Sequence, residues 1–284
     1  MTDEQYMKMA LALARRGSPW ACPNPLVGAV IVKNGRVIGK GYHRCCGENH
    51  AEINAIESAT EPVRGSTVYI TLEPCSHHGR TPPCVERLVK EKPARVVIGT
   101  IDPNPVVSGR GLAMLKRHGI ETRAGVLEDQ CRDLNEVFFK YIRSRIPFVT
   151  LKFAQSIDGK IATSTGHSRW ISSEPSRVFA HRLRSLHDAI LVGSGTIVKD
   201  DPELTCRLVK GRDPLRVVVD SDLKIAPGAR VLQDQARAQT LIFTTSGHDR
   251  KKRALLAERG IEVRVAGRTQ VDLAAVLEEL GRRE

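Results

Sequence analysis

Three residues of the sequence have the types and the spacing of a catalytic zinc site. His50 stands at the start of a predicted helix, Cys75 follows a predicted strand, and Cys84 opens the next predicted helix. One imidazole and two thiolates favour zinc, and three protein ligands leave its fourth position for water. Glu52, two residues after His50, can carry a proton from that water to a ring nitrogen and a leaving amine. The pattern therefore predicts a zinc-dependent deaminase whose glutamate is not a ligand.

Two other interpretations of these residues have different requirements. A closed structural zinc site needs a fourth protein ligand at short spacing, as in paired C-x-x-C knuckles, and the acid stands where no fourth ligand is needed. A nucleic-acid base deaminase would share the His-Ala-Glu motif, but it needs a basic groove and a pocket for a flipped base. The common deaminase signature ends in P-C-x-x-C, whereas residues 76–83 separate Cys75 from Cys84. That insertion argues against the nucleic-acid class.

The elements that would position these residues predict an α/β domain with a sheet covered by helices. Apolar residues at helical spacing cover 3–16, and further helices are predicted at 50–59, 84–92, 111–119 and 127–143. Strands are predicted at 26–32, 37–42, 67–72 and 95–100. Asn34-Gly35 is a strong hairpin turn signal between the first two strands.

The pattern starts again after Pro147, so we place the boundary there and expect domains at 1–146 and 147–284. Strands are predicted at 148–154, 189–196, 215–220, 240–245 and 261–266, and helices at 176–188, 250–260 and 271–281. The second domain is therefore also predicted to be α/β.

Composition limits the classes of protein that the chain can belong to. Its 284 residues are 41% hydrophobic, which is enough for two cores, and no apolar run is long enough to span a membrane. The N-terminus has acids where a signal peptide needs bases, so we expect a cytoplasmic protein whose seven cysteines are thiols or metal ligands. The net charge of +12 is spread over both halves, which suits phosphorylated small molecules and is also compatible with nucleic acid.

Several longer motifs resemble the bifunctional riboflavin-biosynthesis deaminase/reductase family. In the first half they are PNPLVGAVIV (23–32), GYH…HAE (41–52), TLEPCSHHGRTPPC (71–84) and DPNPVVSGRG (102–111). In the second half they are KFAQSIDGKIAT (152–163), SRWISS (168–173) and DDPELT (200–205). The resemblance extends from about residue 3 to about residue 281.

The resemblance implies a fold, a substrate and two cofactors. The fold would be a cytidine-deaminase-like three-layer domain followed by a domain like dihydrofolate reductase, which agrees with the lack of a G-x-G-x-x-G motif in the second half. A zinc deaminase would remove the 2-amine of a diaminopyrimidinone that carries a phosphoribosylamino group. The reductase would then convert the ribosyl group to ribityl with NADPH. The partner would be this phosphorylated pyrimidine rather than nucleic acid or a membrane.

The resemblance also implies substrate-binding residues in the first domain: Asn24, His43, His77, Arg80, Asp102 and Asn104. Asn24 lies between two prolines and could present its amide to the ring, although a Pro-Asn-Pro turn chosen for backbone shape alone is equally compatible. His43, His77 and Arg80 could contact the ring or phosphate. Asp102 and Asn104 follow a strand end, where α/β proteins place their sites.

In the second domain the resemblance implies an NADPH site and a substrate site. Residues implied at the NADPH site are Ala154, Trp170, Thr196, Asp200 and Ser221. Residues implied at the substrate are Ser168, Arg184, Leu204 and Arg207. Arginine suits a sugar phosphate because its donor fork is planar and always charged. Lys152 could lie near the carbon that is reduced, although a lone lysine on a strand is more often solvated.

The C-terminus departs from the family pattern. A further strand with a Glu-Gly-Gly turn is expected after the helix at 271–281, and no such motif occurs before Glu284. We therefore expect an incomplete reductase domain whose sheet has an unpaired apolar edge. If that edge were completed, we would expect a homo-oligomer.

Overall fold

The computed structural model describes the chain except for residues 19, 79–81, 106 and 284. The described residues form two compact units, Met1–Phe148 and Val149–Arg283. Each unit has a sheet of its own, with helices that follow the strands along the chain. The predicted α/β class is confirmed.

The first unit alternates strands and helices. Its helices are α1 (Asp3–Ala14), α2 (Ala51–Glu57), α3 (Cys84–Glu91), α4 (Arg110–Arg117), α5 (Glu128–Leu134) and α6 (Glu136–Ser144). Its strands are β1 (Gly28–Lys33), β2 (Arg36–Tyr42), β3 (Thr67–Leu72), β4 (Arg95–Thr100) and β5 (Glu121–Ala124). The short and largely exposed β5 has no counterpart among the sequence predictions.

This unit has three layers because its central strands bury apolar side chains on both faces of the sheet. The sheet order is β2-β1-β3-β4-β5, with β1 antiparallel to both its neighbours and β3, β4 and β5 parallel. Ala29 and Ile31 share one core with Ala55 of α2, and Val30 and Val32 share the other core with α1. Successive side chains point to opposite faces of a strand, so the sheet buries both faces beneath helices.

Asn34 and Gly35 form the hairpin turn between β1 and β2. Asn34 has a φ of 49° and Gly35 a φ of 74°, as the predicted hairpin turn between β1 and β2 requires.

The single helix predicted at 127–143 is wrong, because Asn135 divides it into α5 and α6. Its side chain accepts a hydrogen bond from the Leu26 amide (2.7 Å) and donates one to the Leu26 carbonyl (2.9 Å). This tertiary contact takes precedence over helical periodicity.

The second unit contains a parallel sheet of order β6-β7-β8-β9. Its strands are β6 (Ala189–Gly193), β7 (Leu215–Val219), β8 (Thr240–Thr244) and β9 (Glu262–Val265). Its helices are α7 (Glu174–Leu186), α8 (Ser194–Asp200), α9 (Arg250–Glu258) and α10 (Leu273–Gly281). The sequence predicts a strand that leads into a turn at 189–196, whereas the strand ends at Gly193 and helix α8 begins at Ser194.

The strand predicted at 148–154 is wrong. None of these residues belongs to a strand, and the side chains of Leu151 and Phe153 are 75% and 70% exposed. A strand requires a neighbour for its amides and carbonyls. In the part of the chain that the structure describes, β6 pairs only with β7, and its Leu191 is 42% exposed. The apolar pattern at 148–154 is therefore present without the ladder that would make it a strand.

No helix among the described residues combines the length and the apolar character needed to cross a membrane.

Candidate active site

Three potential metal ligands converge where two helices begin next to the end of a strand. His50 is the N-cap residue of α2, Cys75 lies three residues after β3, and Cys84 is the first residue of α3. His50 Nδ1 lies 3.2 Å from Cys84 Sγ and 3.5 Å from Cys75 Sγ. The Cys84 amide donates to Cys75 Sγ at 3.2 Å, which holds the two cysteines together. All three ligand atoms lie within 4.8 Å of one another.

This set of donors fits zinc. Ideal distances to sulfur and nitrogen place two ligands of a tetrahedral zinc about 3.5 Å apart, close to the two nitrogen–sulfur distances here. The hydrogen bond from Cys84, together with His50, lowers the pKa of Cys75 to about 4. The same hydrogen bond and burial raise the pKa of Cys84. Zinc binds cysteine as thiolate, so a metal ion would replace the proton that the two sulfur atoms share.

Glu52 lies in the first turn of α2, beside these ligands. It is 3% exposed, and burial, followed by the charge of Cys75, raises its pKa to about 7. Its carboxyl group can therefore exist in either protonation state near neutral pH. This is the property that a group needs in order to accept a proton and then release it.

His43 connects the ligand set to Asn24. Its Nδ1 lies 3.2 Å from the Asn49 carbonyl, which can only accept, so Nδ1 carries the proton and Nε2 accepts from the Asn24 amide at 3.0 Å. Its ring also packs edge-on against His50, with centroids 5.2 Å apart. Because His43 is 2% exposed and both nitrogens are bonded, it orients the Asn24 amide, and no hydrogen bond among the described residues uses the Asn24 side-chain oxygen.

Asp102 and Asn104 lie on the loop after β4, at the carboxyl ends of the parallel strands. The Asn104 amide donates to Asp102 Oδ1 at 2.8 Å, which closes a tight turn. Burial raises the pKa of Asp102 to about 6, with Glu73 adding to the shift and His77 opposing it. Glu73, which the sequence predictions missed, is a buried acid that accepts hydrogen bonds from this loop. An acid between an apolar strand and Pro74-Cys75 was the available signal.

A cavity of about 470 Å³ opens between the segment after Cys75 and helix α4. Its lining residues are Ser76, Ser108, Gly109, Arg110, Ala113, Met114 and Arg117. His77 is an exposed residue of the segment after Cys75, and its electrostatic interaction with Asp102 lowers the pKa of that carboxyl group. Arg80, also predicted at the substrate, lies outside the described residues. Two arginines therefore line a cavity next to the loop that carries Asp102.

In the second unit, three predicted substrate residues meet around Thr205. Arg184 donates to the Thr205 carbonyl at 2.6 Å, and Arg207 donates to the Thr205 hydroxyl at 3.3 Å. Leu204 precedes them, buried and with a φ of 57°. The sequence predictions missed His181, which accepts from the Arg207 amide at 3.1 Å. Burial and the two arginines lower the pKa of His181 to about 4, so it stays a neutral acceptor at pH 7.

Thr196 and Ser221 lie just after the carboxyl ends of two neighbouring parallel strands. Thr196 and Asp200 belong to α8, which follows β6, and Ser221 follows β7. Carboxyl ends of parallel strands meet at one edge of a sheet, where α/β proteins bind cofactors. Thr196 and Ser221 therefore share an edge, whereas Asp200 is the last residue of α8 and lies at the other end of that helix.

The remaining predicted residues of the second unit are less closely connected. Trp170 is 70% exposed, and the Arg177 guanidinium lies 4.2 Å from its ring centroid. Lys152 is exposed, while Ala154 and Ser168 are partly exposed. Among residues 149–283, no described hydrogen bond or ion pair joins Ala154 or Trp170 to Thr196, Asp200 or Ser221.

Known proteins resemble both units. Residues 1–100 match the family described as the cytidine and deoxycytidylate deaminase zinc-binding region, and residues 147–284 match the RibD C-terminal domain. The riboflavin biosynthesis protein RibD of Aquifex aeolicus is 46% identical over 92% of this chain and 73% of its own length. The chain belongs to the RibD family. The RibD of Bacillus amyloliquefaciens is also 46% identical, over 97% of this chain and 74% of its own.

The solved structures agree. A diaminohydroxyphosphoribosylaminopyrimidine deaminase/5-amino-6-(5-phosphoribosylamino)uracil reductase from Thermotoga maritima is 41% identical, with a TM-score of 0.86. The alignment covers 99% of this chain and 78% of that one. Acinetobacter baumannii RibD has a TM-score of 0.87 at 36% identity, over 99% and 77% of the two chains. This chain thus spans about three quarters of the length of these relatives.

Family membership confirms the predicted combination of domains and cofactors. RibD joins a zinc deaminase domain like cytidine deaminase to an NADPH-dependent reductase domain, and it acts in riboflavin biosynthesis. His50, Cys75 and Cys84 all lie inside the matched zinc-binding region.

Proposed function

We propose that this chain hydrolyses the 2-amine of 2,5-diamino-6-(5-phosphoribosylamino)pyrimidin-4(3H)-one through Glu52, with zinc held by His50, Cys75 and Cys84. The observation that carries the proposal is the buried carboxyl of Glu52 beside three convergent donor atoms. Zinc at such a site supplies a water molecule that ionises near neutral pH.

Glu52 moves the protons of this reaction. It would accept one from the attacking water and deliver it to the ring nitrogen, then transfer the proton of the new hydroxyl group to the departing amine. Carbon 2 gains an oxygen and loses ammonia, so this guanidine-type carbon becomes the urea-type carbonyl of the uracil product. The position of Glu52 in the first turn of α2, next to His50, keeps it beside the water without making it a ligand.

Asn24 and the loop after β4 place the ring. The hydrogen bond between Asn24 Nδ2 and His43 leaves the Asn24 oxygen available to a ring N–H. Asp102 and Asn104 contribute polar groups from the loop after β4. The cavity lined by Arg110 and Arg117 supports binding of a phosphorylated substrate rather than a free base.

For the second unit we propose reduction of the ribosyl group to ribityl. NADPH supplies the hydride when it is bound. Thr196, Asp200 and Ser221, together with Ala154 and Trp170, line its site. Arg184 and Arg207, which converge on Thr205, bind the substrate phosphate beside Leu204 and Ser168.

Ammonia release tests the deaminase. We expect ammonia from the phosphoribosylated diaminopyrimidinone and none from cytidine or transfer RNA at the same concentration. Glu52→Gln is the matched variant, because glutamine keeps the shape of the side chain but cannot accept and release a proton. Release from cytidine or RNA alone would replace this proposal with a nucleoside or nucleic-acid deaminase. NADPH oxidation with the deaminated product as substrate tests the reductase.

We also propose that the protein acts in the cytoplasm, and that it forms a homo-oligomer if the edge of the reductase sheet is completed. The apolar, half-exposed β6 edge supports the second point. Light scattering would decide it against the monomer mass of 31.3 kDa, and fractionation of cells would decide the location.

A further inference from the structure

Glu73 is a buried carboxylate whose partners are backbone amides. It is 3% exposed and lies between the last residue of β3 and Pro74. Oε2 accepts from the amides of Gly109 (2.9 Å) and Asp102 (3.3 Å). Oε1 accepts from those of Gly111 (3.0 Å) and Leu112 (3.3 Å). Each oxygen therefore has two donors, and a carboxylate is the side chain that can accept all four.

Three of these amides belong to the beginning of helix α4. Its N-cap residue is Gly109, which has no side chain to cap the helix. The first amides of a helix have no partner within the helix, and a nearby anion stabilises them. Glu73, from the segment after β3 of the same chain, supplies that anion. It therefore caps α4 and determines where this helix begins.

The close approach of α4 to the segment before Cys75 agrees with this arrangement. A Cβ added at Gly111 would lie 2.4 Å from the Pro74 carbonyl oxygen and 3.2 Å from Glu73 Oε1. Only glycine lets the helix come this near. The hydrogen bonds of Glu73 and the absence of a side chain at Gly111 thus bring the same two segments together.

We propose that Glu73 is a positioning residue that couples the metal-ligand turn at Cys75 to the loop that carries Asp102 and Asn104. The loop runs from the end of β4 to α4, and Glu73 holds it at Asp102 and again at Gly109. The Glu73 amide also donates to the Thr100 carbonyl (3.0 Å), which fixes the start of the loop. Since Glu73 lies two residues before Cys75, the polar groups of the loop keep a constant distance from the ligand set. This inference rests on the proposed deaminase function.

Glu73→Gln tests the proposal. A glutamine oxygen accepts two of the four bonds, and its NH₂ group faces the other two amides as a donor. We expect KM for the phosphoribosylated diaminopyrimidinone to rise about 10- to 100-fold, the range for losing hydrogen bonds to a charged group. We expect kcat to stay within about threefold and zinc to remain stoichiometric, because the ligands are untouched. Glu4→Gln, an exposed glutamate in the first turn of α1, is the matched control and should leave KM unchanged.

A structural role alone would lower the melting temperature and leave KM unchanged well below it, and that result would overturn the proposal. Hydrogen exchange of the wild-type protein keeps the proposal testable if Glu73→Gln does not fold. The amides of Gly109, Gly111 and Leu112 should exchange about 100-fold more slowly than the first-turn amides of α5, which no side chain caps. Equal rates would refute the cap. Exchange needs no substrate, so absence of ammonia release by the wild type would count against the proposed function and not against this contact.

Discussion

Gly41→Ala should displace helix α2 and so lower the activity of the deaminase site. Gly41 lies in β2 against α2, and a Cβ there would lie 2.3 Å from both the Ala51 oxygen and the Ala55 nitrogen. Ordinary contact begins near 3.4 Å, so α2 must move by about 1.1 Å, because both contacts are backbone atoms that no rotamer change can remove. His50 and Glu52 are at the start of that helix and must move with it.

A displacement of this size sets the expected magnitude. Misplacement of a catalytic group by about 1 Å costs about 100-fold in rate, and overpacking costs about 1–3 kcal/mol of stability. We expect kcat/KM for ammonia release to fall about 100-fold, with weaker zinc binding and a lower melting temperature. Gly228→Ala is the matched control, because its added Cβ meets nothing within 4 Å. A Gly41→Ala protein with wild-type kcat/KM and zinc content would refute the placement of α2 against β2.

Three further predictions concern single side chains. Glu52→Gln should lower deamination by about 10²- to 10⁴-fold while metal analysis still finds one zinc, and near-normal turnover would remove Glu52 from the proton transfers. Cys75→Ser and Cys84→Ser should each lose zinc and melt at lower temperature, since zinc binding contributes to folding; stoichiometric zinc in both would refute the ligand set. Arg283 lowers the pKa of Glu262 to about 2 from an ordinary 4.5, so this carboxylate stabilises the fold above about pH 4.5 and loses that effect as the pH falls towards 2. The difference in melting temperature between wild type and Glu262→Gln, small because the pair is partly exposed, should therefore shrink over that range, and a constant difference would contradict the assignment.

Some of the site could be predicted from the sequence because the residue type determines the chemistry of the side chain. A histidine, two cysteines and a glutamate between predicted strands and helices are enough to indicate a zinc deaminase, and the structure brings the three ligand atoms within 4.8 Å. The hairpin at Asn34-Gly35 was predictable for a similar reason, since few residue pairs adopt positive φ at two successive positions. The continuous apolar run at 26–32 predicts a buried strand, and the structure covers both of its faces.

Other features depend on partners that are distant in sequence. Asn135 ends a helix because its amide bonds to Leu26, and nothing in residues 127–143 indicates that contact. Residues 148–154 have the pattern of a strand without forming one, because strand formation requires a neighbouring ladder.

The sequence by itself therefore determined the reaction class, the ligand types and the α/β pattern, because each follows from single residues or from periodicity over a few turns. Only the tertiary structure decided which polar groups serve the site directly and which hold others in place. His43 and Glu73 are both buried, yet their roles come from the partners they meet: the Asn24 amide for His43, and backbone amides up to 39 residues away for Glu73. A carboxylate that accepts four amides and one that carries a proton are the same residue type in the sequence, and only the donors that the fold brings to each of them distinguish Glu73 from Glu52.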